Sequence, residues 1–166
     1  RLGSRQVGAG WSFGGERRAA VFNLTASADL TNYYGGSLRW DHELPALQTE
    51  ALRGGPALLM PSRDALALSL YSDTRRLTQA TLDLGAFREA ATGSGQLLVA
   101  PGLGLRPADR LAFSLGPSLA WTTNAWQYVG PVPGARGTRY VLGRLEQRTV
   151  SLTLRADLAF TPRLTL

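Results

Sequence analysis

The chain has 166 residues, no cysteine and a formal net charge of +6. That length allows one ordinary domain, and the missing thiols exclude a disulfide scaffold, a zinc ribbon and thiol catalysis. The basic residues are scattered and often lie beside acids, Arg39 near Asp41 and Glu43, Arg144 near Glu146, Arg155 near Asp157, so they form no tract of the kind that nucleic-acid binding uses.

No stretch reaches the ~18 consecutive apolar residues of a membrane helix. The apolar fraction is 44% and the mean hydropathy −0.08. A near-neutral mean is also what membrane strands give, because they alternate lipid-facing with lumen-facing residues.

In chain order, a first segment leads through Trp11 and Phe13 to a connection from Gly14 to Arg17. Next, Ala20, Phe22, Leu24, Ala26 and Ala28 alternate with Val21, Asn23, Thr25, Ser27 and Asp29. A turn near Leu30 to Asn32 leads to Leu38 and Trp40, which oppose Ser37, Arg39 and Asp41. A long connection from Pro45 to Pro61 precedes the weaker alternation of Leu66, Leu68 and Leu70. After a turn at Ser72 to Arg75, Thr78, Ala80, Leu82, Leu84 and Ala86 alternate with Gln79, Thr81, Asp83 and Gly85. A connection from Glu89 to Gly95 and a turn at Pro107 to Asp109 bracket the next strand. Leu111, Phe113, Leu115, Leu119 and Trp121 then alternate with Ala112, Ser114, Gly116, Ser118 and Thr122, up to a connection from Asn124 to Gly137.

The clearest segment is the last. Val150, Leu152, Leu154, Ala156, Leu158 and Phe160 alternate with Thr149, Ser151, Thr153, Arg155, Asp157 and Ala159. Strict period-2 patterning over ~9–11 residues suits a tilted membrane strand. Counting predicts one very long strand from Arg139 to Phe160, whose first half (Arg144, Glu146, Arg148) projects above the membrane. A short turn from Thr161 to Arg163 then starts a ninth strand at Leu164 to Leu166.

Short and longer connections thus alternate, as periplasmic turns and outer loops do in outer-membrane barrels. The expected fold is all-β: an antiparallel up-and-down transmembrane β-barrel, present as a fragment of about eight full strands plus the start of a ninth. The chain starts at Arg1 without Met, and both ends read as cuts in one barrel domain. Aromatics fall in two groups, as interfacial girdles would: Trp11, Phe13, Trp40, Phe87 and Trp121 toward the outer loops, and Tyr33, Tyr34, Tyr71, Phe113 and Phe160 toward the short turns.

Several local patterns resemble the domain-of-unknown-function 5916 family of outer-membrane proteins. They are Asn32-Tyr33-Tyr34, Arg53-Gly54-Gly55-Pro56, Tyr71-Ser72-Asp73-Thr74-Arg75, Tyr140-Val141, Gln147-Arg148-Thr149-Val150-Ser151-Leu152-Thr153 and Phe160-Thr161-Pro162. The resemblance covers roughly Gly10 to Leu166. It implies a C-terminal barrel, often preceded by a carbohydrate-binding-module-9-like domain, and implies no activity. The glycan-binding domain is not among these residues, so glycan binding passes to none of them.

Chemical motifs are sparse. His42, beside Asp41 and Glu43, is a poor metal set and reads as a solvated strand-end residue. No Ser-His-Asp spacing or nucleophile elbow appears, and no enzyme activity or cofactor is expected. Gly54-Gly55 and Gly102-Leu103-Gly104 precede no helical pattern, so they lack the anion site of a helix N-terminus. Gly93-Ser94-Gly95 reads as a turn, and the Asn23-Leu24-Thr25 sequon is discounted in a bacterial strand. Arg53, Gly54, Gly55 and Pro56 read either as a structured outer loop with positive φ or as a loop folded into the lumen. Candidate lumen-facing residues are Asn23, Thr25, Arg39, Asp41, Gln79, Asp83, Thr149, Thr153, Arg155 and Asp157, which either pair with one another or line a polar pathway.

The expected function is therefore a bacterial outer-membrane barrel segment with a passive transport or structural role. Its partners would be the lipid bilayer, the remaining barrel strands and other outer-membrane or surface proteins, without nucleic acid. The rival is a soluble carbohydrate-binding β-sandwich, which needs a second sheet against the apolar face of residues 150–160 and aromatics grouped on one exposed face.

Overall fold

A computed structural model describes residues 4–11, 17–135, 137–161 and 164–165. The chain is all-β. Its strands are β1 (Ser4–Trp11), β2 (Arg17–Asp29), β3 (Gly35–Glu43), β4 (Ala46–Gln48), β5 (Leu58–Met60), β6 (Arg63–Tyr71), β7 (Thr78–Glu89), β8 (Gly95–Ala108), β9 (Leu111–Gly134), β10 (Gly137–Thr161) and β11 (Leu164–Thr165). Nine of them form one antiparallel sheet in the order β1-β2-β3-β6-β7-β8-β9-β10-β11. Every neighbour in that sheet is the next long strand in sequence, so the topology is a plain meander, and β4–β5 is a small separate hairpin in the β3–β6 connection.

Alternation along each strand is carried across the sheet by the register. Ala26, Leu38, Leu68, Leu84, Val99, Leu119 and Val150 stand directly opposite one another in a row that crosses seven strands. The next row on that face is Leu24, Trp40, Leu66, Ala86, Leu97, Trp121 and Arg148. Beyond it the face turns polar, with His42, Asp64, Arg88, Gly95, Thr123 and Glu146 in register. One sheet face is thus a continuous apolar band with a sharp polar border. The opposite face carries small and polar residues such as Ser69, Gly85, Gly102, Gly116 and Thr153.

No second layer covers the band. Leu52 is the one buried hydrophobic residue among those described, and it sits in the β4–β5 connection. Leucines and valines of the band are exposed, up to 76% for Val150 and 70% for Leu154. The accessible surface is 12165 Å², against roughly 8,000 Å² for a compact folded chain of this mass. A sandwich needs a second sheet, and among the described residues the only other one is β4–β5, of two three-residue strands.

Both edges are open among the described residues. β1 pairs only with β2, and the outer edge of β10 pairs only near its end, Ala159 with Thr165 and Thr161 with Leu164. The β8–β9 ladder is interrupted between Val99↔Leu119 and Leu103↔Leu115, where Pro101 and Pro117 have no N–H to give.

The connections differ in part from the sequence reading. Residues 30–34, 72–77 and 109–110 make the turns at one end. The expected loop from Asn124 to Gly137 is instead strand: β9 and β10 continue as a paired hairpin to Gly134 and Gly137. The register is irregular between Val141 and Leu142 and between Gly143 and Leu145, where the extension begins. Proline and glycine in 130–137 suggested a loop, but an edge-strand ladder with bulges accommodates them. The long strand expected from Arg139 is present within the 25 residues of β10.

Two aromatics fall on the other face from the one a girdle requires. Phe87 opposes Ala65 and Tyr71 opposes Gly35 and Thr81, all on the small and polar face, because a period of two fixes the side from the register. Trp40, Phe113 and Trp121 do lie on the apolar face. Phe13, residues 14–16, residues 162–163 and the side chains of Trp11 and Phe160 lie outside the described residues.

Candidate functional site

All ten candidate polar residues share the face opposite the apolar band, as their register positions require. They form separate groups. Asn23, Thr25, Arg39 and Asp41 are brought together across β2 and β3: Asn23 Nδ2 donates to Asp41 Oδ1 at 2.5 Å, Arg39 Nε and Nη2 donate to Asp41 at 2.7 and 2.9 Å, and Thr25 Oγ1 donates to Asn23 Oδ1 at 3.2 Å. Asp83 accepts from Ser69 Oγ at 2.6 Å. Arg155 Nε donates to Asp157 at 2.9 Å, and Thr149 Oγ1 accepts from Gln147 at 3.2 Å. Gln79 reaches back to the turn instead, donating to the Thr74 carbonyl at 2.6 Å. Thr153 faces Gly116 across the β9–β10 ladder.

The second concentration of polar groups lies at the loop end, and only the tertiary structure assembles it. The connection between β4 and β5 folds back on itself, with Leu52 buried inside it. Arg53 and Gly54 both have positive φ, +48° and +97°. Gly55 sits against the β9–β10 extension: a Cβ there would lie 2.5 Å from Tyr140 Cε1 and 2.8 Å from Leu52 Cβ. Tyr140 in turn stacks at 6.5 Å on Tyr128. The Arg53-Gly54-Gly55-Pro56 motif therefore spans from the β3–β6 connection to β10, four strands along the sheet. Close approach to an aromatic ring explains why a glycine stands at position 55.

Beneath this bridge is a cavity of about 360 Å³. Gln48, Ala51, Arg53, Leu58 and Met60 line it from the β3–β6 connection; Arg63, Phe87 and Glu89 line it from β6 and β7; Ser94, Thr122, Asn124, Trp126, Gln127 and Tyr128 line it from the β8–β9 side. The Arg63 guanidinium lies 3.9 Å over the Phe87 ring. Ser94, 3% exposed, fixes the wall: its Oγ accepts from the Ala125 N–H at 3.1 Å and is 2.9 Å from Thr92 Oγ1. Thr92 Oγ1 donates to Glu89 Oε2 at 2.7 Å. Two buried donors on residues that line the cavity, Arg63 Nε and Trp126 Nε1, find no hydrogen-bond partner among the described residues.

The sequence reading puts Thr122 on the polar face, where it stands, but counts Phe87 into a girdle on the other face, and it gives no hint that the loop reaches either. Trp126 was hidden because 124–137 reads as a loop. A larger groove of about 650 Å³ lies on the apolar face between β2, β3, β6 and β7, where Ala26, Ala28, Gly36 and Ala80 leave room between longer neighbours. Its lining is almost wholly apolar, so it offers shape without the polar contacts that orient a solute. His42 pairs with Asp64 at 2.8 Å, at the border of the band.

Fold and site together define an all-β protein built on one antiparallel meander, with one apolar face, one polar face and a loop bridging the polar face at its end. Compared with protein-family models, curated proteins and solved structures, the chain has no match.

Proposed function

We propose that this chain is part of an outer-membrane β-barrel of the kind its local motifs resemble, with a passive transport or structural role. The carrying observation is the uncovered apolar band across seven strands. A soluble monomer rarely leaves so large a contiguous patch bare, whereas lipid is the natural cover for the outside of a barrel.

The slant of the band supports this reading. Val150 on β10 is level with Ala26 on β2. Yet the band is centred near Leu24 to Ala26 on β2 and near Leu154 on β10. Its centre slips by about five residues over six strand steps, which at ~3.3 Å per residue and ~4.8 Å per strand is a tilt of roughly 30°. Strands of outer-membrane barrels tilt by ~35–45° against the membrane normal.

The open edges fit a barrel completed by further strands. Unpaired backbone in lipid costs several kcal/mol per group, so a spanning sheet must close. The outer edge of β10 is the place for the next strand, and β11 begins it. No helix among the described residues is long and apolar enough to cross a membrane; in this reading the strands do so.

The test is membrane fractionation of the full-length protein with detergent extraction and a gel comparing heated and unheated samples. Outer-membrane recovery and a heat-dependent mobility shift are the expected results. Recovery as a soluble protein without detergent would end this reading.

A further inference from the structure

The polar face does not share the charge balance of the chain. Overall there are 18 basic and 12 acidic side chains. On the polar face between the row of Asn23 and Asp41 and the short turns, the balance is reversed. By register, Asp29, Asp41, Asp83 and Asp157 stand there against Arg39 and Arg155 among the described residues. Each arginine bonds an acid two residues along its own strand, Arg39 to Asp41 at 2.7 Å and Arg155 to Asp157 at 2.9 Å. These pairs are neutral together. Asp29 and Asp83 have no ion-pair partner among the described residues.

Of these two, Asp83 lies at mid-depth. It stands on β7 between Leu82 and Leu84, which belong to the apolar band on the other face. Asp29 instead ends β2 beside the 30–34 turn and accepts from the Tyr71 hydroxyl. Asp83 is exposed and accepts from Ser69 Oγ at 2.6 Å, which leaves most of its acceptor capacity open. Its row across the face is Ser27, Ser37, Ser69, Asp83 and Ala100, and Thr81 and Gly85 flank it along β7. Only small side chains stand in these positions, so the carboxylate is not walled off. An ionisable group at membrane depth is costly and marks ion or substrate pathways. Low-dielectric walls concentrate the field of such a charge, and carboxylates lining a pore favour cations.

We propose that the polar face lines a cation-preferring passage and that Asp83 sets the preference. This rests on the outer-membrane reading and deepens it by naming the solute class, small cations over anions.

The experiment reconstitutes the purified full-length protein in planar bilayers and measures the reversal potential across a KCl gradient. The parent should pass K⁺ in preference to Cl⁻. Asp83→Asn keeps the size of the side chain and an acceptor for Ser69, and should lower the ratio of K⁺ to Cl⁻ permeability severalfold. Asp83→Glu should preserve the ratio. A merely structural role for Asp83 would change the yield of conducting protein and leave the ratio alone. Anion preference, no preference, or a ratio that Asp83→Asn does not move would overturn the proposal. Protein that is recovered in the outer membrane with its heat-dependent mobility shift, yet passes no current, would also overturn it and leave the barrel standing. Recovery as a soluble protein would end both, and fractionation shows that before any current is measured.

Discussion

Residues 153 and 154 are neighbours on β10 whose side chains stand on opposite faces, Leu154 across from Leu115 and Thr153 across from Gly116. Arginine at each tests the faces directly. If the apolar face meets lipid as proposed, Leu154→Arg is expected to impair membrane assembly, because a charge at mid-bilayer on a barrel's outer face costs ~2–4 kcal/mol. Thr153→Arg meets the small and polar face and is expected to assemble nearly as well as the parent. Equal yields of folded, detergent-extracted protein from the two variants would refute the assignment. At position 55 the constraint is steric. A Cβ at Gly55 would meet the Tyr140 ring at 2.5 Å and Leu52 at 2.8 Å, so Gly55→Ala should lift the β4–β5 connection off β10. Faster cleavage at Arg53 by trypsin in the variant, with the sheet intact by circular dichroism, is the expected result. The face of the alternating residues was legible from their parity, although Phe87 and Tyr71 were counted into a girdle on the other face. The reason for Gly55 was not, since its partner lies 85 residues on.

At the scale of elements, the 72–77 turn is held by charge. Asp73, 5% exposed, accepts from Arg75 Nε and Nη2 at 2.9 and 3.0 Å and from the Arg75 backbone N–H at 3.0 Å. The Arg75 guanidinium covers the Tyr33 ring at 3.1 Å, tying this turn to the 30–34 turn beside it. The Arg75 side chain, and then its N–H, hold the Asp73 carboxyl down at a pKa of about 2. A carboxyl whose folded value lies below its unfolded one stabilises the folded form above the unfolded pKa of ~4 and loses that contribution as pH falls through the folded value. The turn should therefore stay intact at pH 5 and loosen between about pH 4 and 2, seen as faster amide exchange at Arg75. Asp73→Asn should exchange faster already at neutral pH and lack this acid step. Sequence reading found turns here and at 30–34 from their Asp, Ser and Asn content. It ended the β9–β10 hairpin too early, because glycine and proline density was read as a loop, whereas the ladder from Gly130↔Val141 to Gly134↔Gly137 carries these residues in paired strands.

For the whole molecule, the oblique apolar band makes a quantitative claim. If the band marks the bilayer, the strands tilt from its normal by roughly 30°, and polarised infrared spectroscopy of oriented membranes should report a mean strand tilt near that angle. Strands lying along the membrane plane would contradict it. The β9–β10 hairpin, 24 and 25 residues long, is roughly 80 Å at ~3.3 Å per residue, far more than a hydrocarbon core of ~30 Å requires. Its far half should therefore stand outside the membrane and accept a label introduced at Val132 on intact cells.

The sequence by itself determined the class of structure. Period-2 alternation assigns each residue a face, and turns between the runs make the strands antiparallel neighbours, so strand order, the common face of Asn23, Arg39, Asp41 and Asp157, and the long last strand were all readable. Pairing register and long-range contact were decided only by the tertiary structure. Alternation states that Val150 and Leu119 share a face, but not that they stand in one row. Nor does it state that Arg53, Arg63 and Trp126 line one cavity. Such proximity comes from a loop crossing four strands, and no local pattern records where a loop comes to rest.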